Sequence, residues 1–196
     1  MRIVMGLDIS TTTIGIAVVK EEDDGKIKLV HYEYYKPEKK HGQLFMLARA
    51  QMYITDLLWD HDVTEVAIEE YVKFMKGNST AKTVIPLAIL NTAIQLSIWT
   101  ADARLKPRVM NVLAIRHAIK PTKRLPKKEE MPDIVAKRLG IKFPWEMKVN
   151  RRTKKEERRE ENWDVADAIA VALAHIAKPS SPVKKVRSKK RSKKNA

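Results

Sequence analysis

The chain has 196 residues, enough to bury one substantial core but too few for two full domains. It contains no cysteine, which excludes a disulfide framework, a thiolate metal site and a cysteine nucleophile. Lys and Arg number 39 against 24 Asp and Glu, and the net charge of +15 calls for a polyanionic partner, most economically nucleic acid.

The chain opens without the pattern of a signal peptide, entering directly on an apolar run, residues 3–9, that carries an acid at position 8. A polar turn, Ser10-Thr11-Thr12-Thr13, leads into a second run rich in Val and Ile, so residues 3–19 predict a tight hairpin of buried strands. Asp8 ends the first strand at a sheet rim, where it can serve as a site residue or cap the turn through its own backbone. Asp24-Gly25 marks the next turn, and residues 27–35 complete an antiparallel meander. Leu44, Leu47, Ala48, Ile54, Leu57 and Leu58 have the spacing of an amphipathic helix. Residues 63–71 form the next strand, apolar on both faces at Val66-Ala67-Ile68 and therefore central.

Past a loop at 73–78, residues 79–104 read as a long helix with Pro86 in its first turn or at a kink. Leu87, Ile89, Leu90, Ile94, Leu96, Ile98 and Trp99 give it more apolar surface than one sheet face covers, so it is shared between the core and a second copy or lies wholly in the core. No apolar run approaches the ~20 residues of a membrane span, and a soluble protein is expected. A fifth strand at 108–113 should pair in parallel; a basic, proline-broken loop fills 120–128; a short helix at 129–139 ends on Gly140. Residues 148–161 carry dense charge of both signs without an apolar face, and read either as a solvated helix or as a basic segment beside a site. Asn162 is expected to cap the helix 163–177, and residues 178–196, with nine cations and no acid, are expected to be a disordered basic tail. The expectation is one α/β domain over 1–177, a mixed five-stranded sheet of antiparallel meander and parallel strands flanked by helices.

Four carboxylates stand out. Asp164 and Asp167 share one face of an otherwise apolar helix, with Cβ atoms roughly 5–6 Å apart, where either the helix dipole or a cation must offset their repulsion. Glu69-Glu70 ends the central strand as Asp8 ends the first, and parity alone leaves open which glutamate shares a face with Asp8. Hard oxygen donors without Cys or His nearby specify magnesium or manganese, two ions of which would clamp a phosphodiester. His175 is too far along the helix to join them and reads as a C-terminal cap.

These residues resemble the RuvC-type Holliday-junction resolvases of the RNase H-like superfamily. The resemblance rests on Gly6-Leu7-Asp8 before the Thr-rich turn and Gly15, on Ala67-Ile68-Glu69-Glu70, and on Asp164-Val165-Ala166-Asp167-Ala168-Ile169-Ala170. It implies Asp8, Glu69, Asp164 and Asp167 as catalytic metal ligands, with two Mg2+ ions that Mn2+ can replace, and no small-molecule cofactor. It also implies a homodimer that nicks opposed strands of a four-way DNA junction, leaving 5′-phosphate and 3′-hydroxyl ends. In the family an aromatic near Tyr71 and Phe74 stacks on a base at the junction centre. Asp8 is followed by Ile9-Ser10 where many cellular members have Pro-Gly, and the basic tail is not a general feature, so the chain looks more like a phage-borne branch.

Further candidate DNA contacts are Lys123 and Arg124 in the loop, Arg151 and Arg152 in the charged segment, and Lys184 and Lys185 in the tail. The expected location is the cytoplasm of a bacterial or phage-infected cell, at the nucleoid. Three rival readings are an RNase H-like nuclease acting on RNA–DNA hybrid or flapped DNA, a non-catalytic basic DNA-binding protein, and an actin-like or sugar-kinase ATPase. The last lacks room for a second lobe and has no Gly-Gly pair.

Overall fold

A computed structural model describes residues 1–71, 81–120 and 123–177. Strands β1 (Arg2–Ile9) and β2 (Ile14–Glu21) form the expected hairpin, and β3 (Ile27–Tyr35) extends it antiparallel. Ser10, not Asp8, supplies the side-chain bonds of the first turn: its Oγ donates to the Thr13 carbonyl at 2.7 Å and accepts from the Thr13 amide at 3.0 Å. Helix α1 (Gln43–Asp60) returns the chain so that β4 (Glu65–Glu69) pairs in parallel with β1. Helix α2 (Ala81–Ala101) does the same for β5 (Arg108–Met110), giving the order β3-β2-β1-β4-β5. This is the mixed five-stranded sheet the sequence predicts.

Strand parity divides the core. Met5 and Leu7 of β1, Ile16 and Val18 of β2, and Val66 and Ile68 of β4 face Ile54, Leu90, Ile94 and Ile98 of α1 and α2. The alternate residues face helices α3 (Val112–Ile119), α4 (Met131–Leu139) and α5 (Glu161–Ala177). On that side the sheet carries small residues, Gly6, Gly15, Ala17 and Ala67, and α5 answers with Ala166, Ala168, Ala170, Ala172 and Ala174, all fully buried. A Cβ on Gly6 would lie 2.2 Å from the Ala168 carbonyl oxygen, and one on Gly15 only 2.1 Å from that of Asp164. The helix therefore rests on the sheet backbone to backbone.

At the far end of α5, His175 is not a helix cap. Its buried ring places Nε2 2.7 Å from Glu65 Oε2, and Arg2 holds the same carboxylate through Nε at 2.6 Å and Nη2 at 2.9 Å. The Arg2 guanidinium, joined by His175, keeps Glu65 down at about 2.

Three segments differ from expectation. The strand expected over 108–113 stops at Met110 because Asn111 is a strong N-cap, its Oδ1 accepting from the Leu113 amide at 2.9 Å, and α3 starts at once. Residues 148–161 are no helix: β6 (Met147–Val149) and β7 (Glu156–Arg158) make a second, small hairpin whose turn Asn150 organises. Asn162 lies inside α5, where its side chain bonds Glu146 and the Arg159 carbonyl instead of capping. Helix α2 forms within the long apolar helix expected over 79–104. It is the one described helix that by length and composition could cross a membrane, yet Leu90, Asn91, Ile94 and Ile98 are buried in this domain. Pro86 lies within it.

The contact at Gly15 generates a test. Gly15→Ala forces a methyl group against rigid backbone, and such overpacking costs about 3 kcal/mol, equivalent to a melting temperature lower by roughly 6–12 °C for a domain of this size. Thermal denaturation followed by circular dichroism measures it; an unchanged melting temperature would mean that α5 stands off the sheet.

Candidate active site

Asp8 is the last residue but one of β1 and Glu69 closes β4, neighbouring parallel strands in which Leu7 pairs with Ile68. The next residue of each strand, Asp8 and Glu69, points to the α5 side of the sheet. Across them lie the first turns of α5 with Asp164 and Asp167. All four carboxyl groups are drawn into one field. Burial raises Asp8 well above its ordinary value, and the charges of Glu69, Asp167 and Asp164 push it further. Burial and then Asp167 lift Glu69 to about 7, while burial lifts Asp167 to about 6 and raises Asp164.

A cation answers them. Lys128, in the 3-10 turn Lys128–Glu130 that precedes α4, sets its Nζ 3.4 Å from Asp164 Oδ1 and 3.7 Å from Asp167 Oδ2. Burial works against its charge, but Asp167, Asp164 and Asp8 together raise its pKa. Arg116 of α3 acts from another side, its charge lowering both Glu69 and Asp167. Its Nε is buried without a hydrogen-bond partner among the described residues. Neither cation was identifiable from sequence: Lys128 sits in the run Lys127-Lys128-Glu129-Glu130, which looks like solvated charge, and no pattern singles out Arg116 on its helix.

Of the four acids Asp164 lines a cleft of about 550 Å³, together with Thr12, Thr13, Lys128, Glu160 and Trp163, among others. Among the described residues no three Asp, Glu or His side chains stand close enough to hold a metal ion as they are. The donor set nonetheless suits a hard divalent cation, being carboxylate only, largely withdrawn from solvent and short of positive charge. Lys128 supplies part of that charge in the present arrangement.

Of the other sequence candidates, Glu70 points away from the acids, with its Oε2 3.5 Å from Asn111 Nδ2. Tyr71 is half-buried just past β4; Phe74, Lys184 and Lys185 lie outside the described residues. Lys123 is exposed, and Arg124 is bonded to Glu130 at 2.5 Å. Arg151 and Arg152 stand exposed on the turn of the β6–β7 hairpin.

No protein-family model and no curated protein matches the sequence. Among solved structures the chain is similar to Thermus thermophilus RuvC, at 23% identity and a TM-score of 0.67 over 89% of this chain and 93% of that one. The same protein in complex with a Holliday junction substrate gives 20% identity and 0.66 over 90% and 94%. The yeast mitochondrial Holliday junction resolvase Ydc2 gives 13% and 0.56 over 89% and 77%. The fold is thus the RuvC-type, RNase H-like fold that the sequence motifs imply.

The strained charge at Glu69 has a measurable consequence. A carboxyl raised from 4.5 to about 7 binds its proton more tightly folded than unfolded, so stability falls as pH rises across that window. In a chelator, Glu69→Gln should raise the melting temperature at pH 8 and leave it unchanged near pH 4, where both forms are neutral. A variant less stable at pH 8 would mean that the charge is fully compensated in the fold.

Proposed function

We propose that the protein is a metal-dependent endonuclease that resolves four-way DNA junctions. The observation that carries the reading is the meeting of Asp8, Glu69, Asp164 and Asp167 at the rim of a RuvC-type sheet, within one electrostatic field, on a chain with a net charge of +15. Asp8, Glu69, Asp164 and Asp167 would hold two Mg2+ ions, or Mn2+ in their place. Bound there, the ions would generate the attacking hydroxide and stabilise the leaving oxygen of an in-line phosphodiester displacement, giving 5′-phosphate and 3′-hydroxyl ends.

The chain's own residues prepare that chemistry. Strand ends fix the backbone of Asp8 and Glu69 through the ladder, and α5 fixes that of Asp164 and Asp167 through its contact with Gly15, so only side chains have to move to enclose an ion. Lys128 balances Asp164 and Asp167 before DNA arrives, and can turn to a phosphate oxygen once other positive charge takes its place. The Arg116 guanidinium offers an unsatisfied donor to the same region.

Paired nicks on a junction need two sites, and α2 supports a homodimer. Ile85, Ile89, Leu96 and Trp99 stand exposed along its outer side, a surface that costs free energy in water unless a second copy covers it.

Cleavage of a synthetic four-way junction in Mg2+, beside linear duplex and RNA–DNA hybrid, tests the reading. Junction cleavage should dominate; preference for hybrid would assign the protein to the RNase H-like alternative. Asp8→Asn, Glu69→Gln, Asp164→Asn and Asp167→Asn should each slow cleavage by roughly 10²-fold or more with junction affinity retained, and Glu70→Gln should act mildly. Full activity in any of the four removes that residue from the site. Separately, Trp99→Asp should yield a monomer by light scattering and convert paired cuts into single nicks; a dimer that survives the change would place the interface elsewhere.

A further inference from the structure

Residues 140–160, between α4 and α5, add no strand to the main sheet, and both legs of the β6–β7 hairpin are exposed apart from a partly covered Glu157. A polar hairpin outside the core should be loose, but this one is built at both ends. At its root the Arg158 guanidinium lies 3.8 Å above the Trp145 ring, which also meets Phe143 and Trp163 at 4.7 and 5.8 Å. Tyr34 of β3 donates its hydroxyl to Glu146 at 3.2 Å, and Asn162 of α5 bonds both the amide and the carbonyl of Glu146 at 2.9 Å.

At the tip Asn150 Oδ1 accepts from the amides of Arg152 and Thr153 at 3.0 and 3.1 Å, and its Nδ2 donates to Glu157 at 2.8 Å. Lys154 is held at φ 58°, a left-handed conformation unusual for a lysine, with its amide bonded to the Asn150 carbonyl at 2.8 Å. The result is a fixed turn that presents Arg151, Arg152, Lys154 and Lys155 to solvent.

Their grouping sets these four residues apart: Lys28, Arg104, Arg124 and Lys36 each stand beside an acid, Glu22, Asp102, Glu130 and Glu161, whereas these stand beside one another on a single fixed turn. Arg151, Arg152, Lys154 and Lys155 have no acid partner among the described residues. Their position is equally specific, because β7 runs through Arg159 into Glu160 and Glu161, which line the cleft beside Asp164. A three-residue strand spans about 10 Å, which sets the scale of the tip's reach from the root that adjoins the cleft.

We infer that the β6–β7 hairpin is an arm that grips the phosphates of the duplex flanking the cleaved strand. This rests on the nuclease reading above and assigns a place to the duplex arms of its substrate. A two-stranded ribbon is narrow enough to lie along or enter a major groove about 12 Å wide, and four unpaired cations on its turn would neutralise phosphates without reading bases.

The experiment is a salt titration of binding, by fluorescence anisotropy in chelator, for the full chain and for R151A/R152A/K154A/K155A. The probes are a junction with long duplex arms and one with arms cut to roughly half a helical turn, about 5 bp. On long arms the variant should bind 10- to 100-fold more weakly and its log–log salt slope should be smaller in magnitude by up to about 3.6, some 0.9 per lost phosphate contact. On the short-armed junction the two proteins should converge, and R151K/R152K should bind as the parent does on both. Equal slopes on long arms would overturn the inference, as would a loss of affinity that persists undiminished on short arms, which would place the tip at the junction centre. Loss of cleavage with affinity intact would also overturn it, by assigning the hairpin to the cleft. A parent protein that binds and cleaves junctions while the variant matches it sinks the arm alone; a parent that binds no junction sinks the nuclease reading with it.

Discussion

The approach of α5 to β1 and β2 is the constraint on which the molecule turns. Gly6 and Gly15 are the two points where helix and sheet meet without side chains between them, and the alanines of α5 continue the contact along the helix. Helix–sheet packing through larger residues would lift Asp164 and Asp167 away from the strand ends that carry Asp8 and Glu69. The site therefore depends on what is missing from two positions of the sheet as much as on the acids themselves.

That closeness creates an electrostatic cost which the rest of the structure offsets. Four carboxyl groups in a partly dehydrated space resist ionisation, burial first and then the charge of neighbouring carboxylates raising each of them. Lys128 and Arg116 reach in from α4's entry turn and from α3, two elements that otherwise serve to cover the α5 side of the core. The fold so combines a well-packed interior with a rim where like charges are held together by packing made elsewhere, the usual sign that a site rather than stability sets the choice of residue.

Much of this was legible in the sequence, and the reasons are physical. The meander, the central strand and α5 have long apolar runs whose period is unambiguous, and the acids that end them stand out against that background. The parity of Glu69 and Glu70 was undecided from spacing, although a signal exists: Gly6 and Ala67 are the small residues of their strands, and a helix that demands small neighbours must cover the face they share with Asp8 and Glu69. Segments that took their form from single side chains were misread. Asn111 ends a strand and starts a helix by one hydrogen bond, and the β6–β7 hairpin depends on Asn150 and on an arginine over a tryptophan, none of which produces periodicity. Lys128 was hidden for a similar reason, since a lysine beside two glutamates looks solvated until the chain folds.

The clamp of Arg2, Glu65 and His175 gives α5 a second anchorage, on the opening residues of the same two strands whose closing residues carry acids. The helix is thereby a beam fastened at both ends, with eleven residues, roughly 16 Å, between His175 and Asp164. The acids at one end of α5 thus stand on the same rigid element as the histidine held by Glu65 at the other, and the backbone that carries them is fixed from both rims of the sheet.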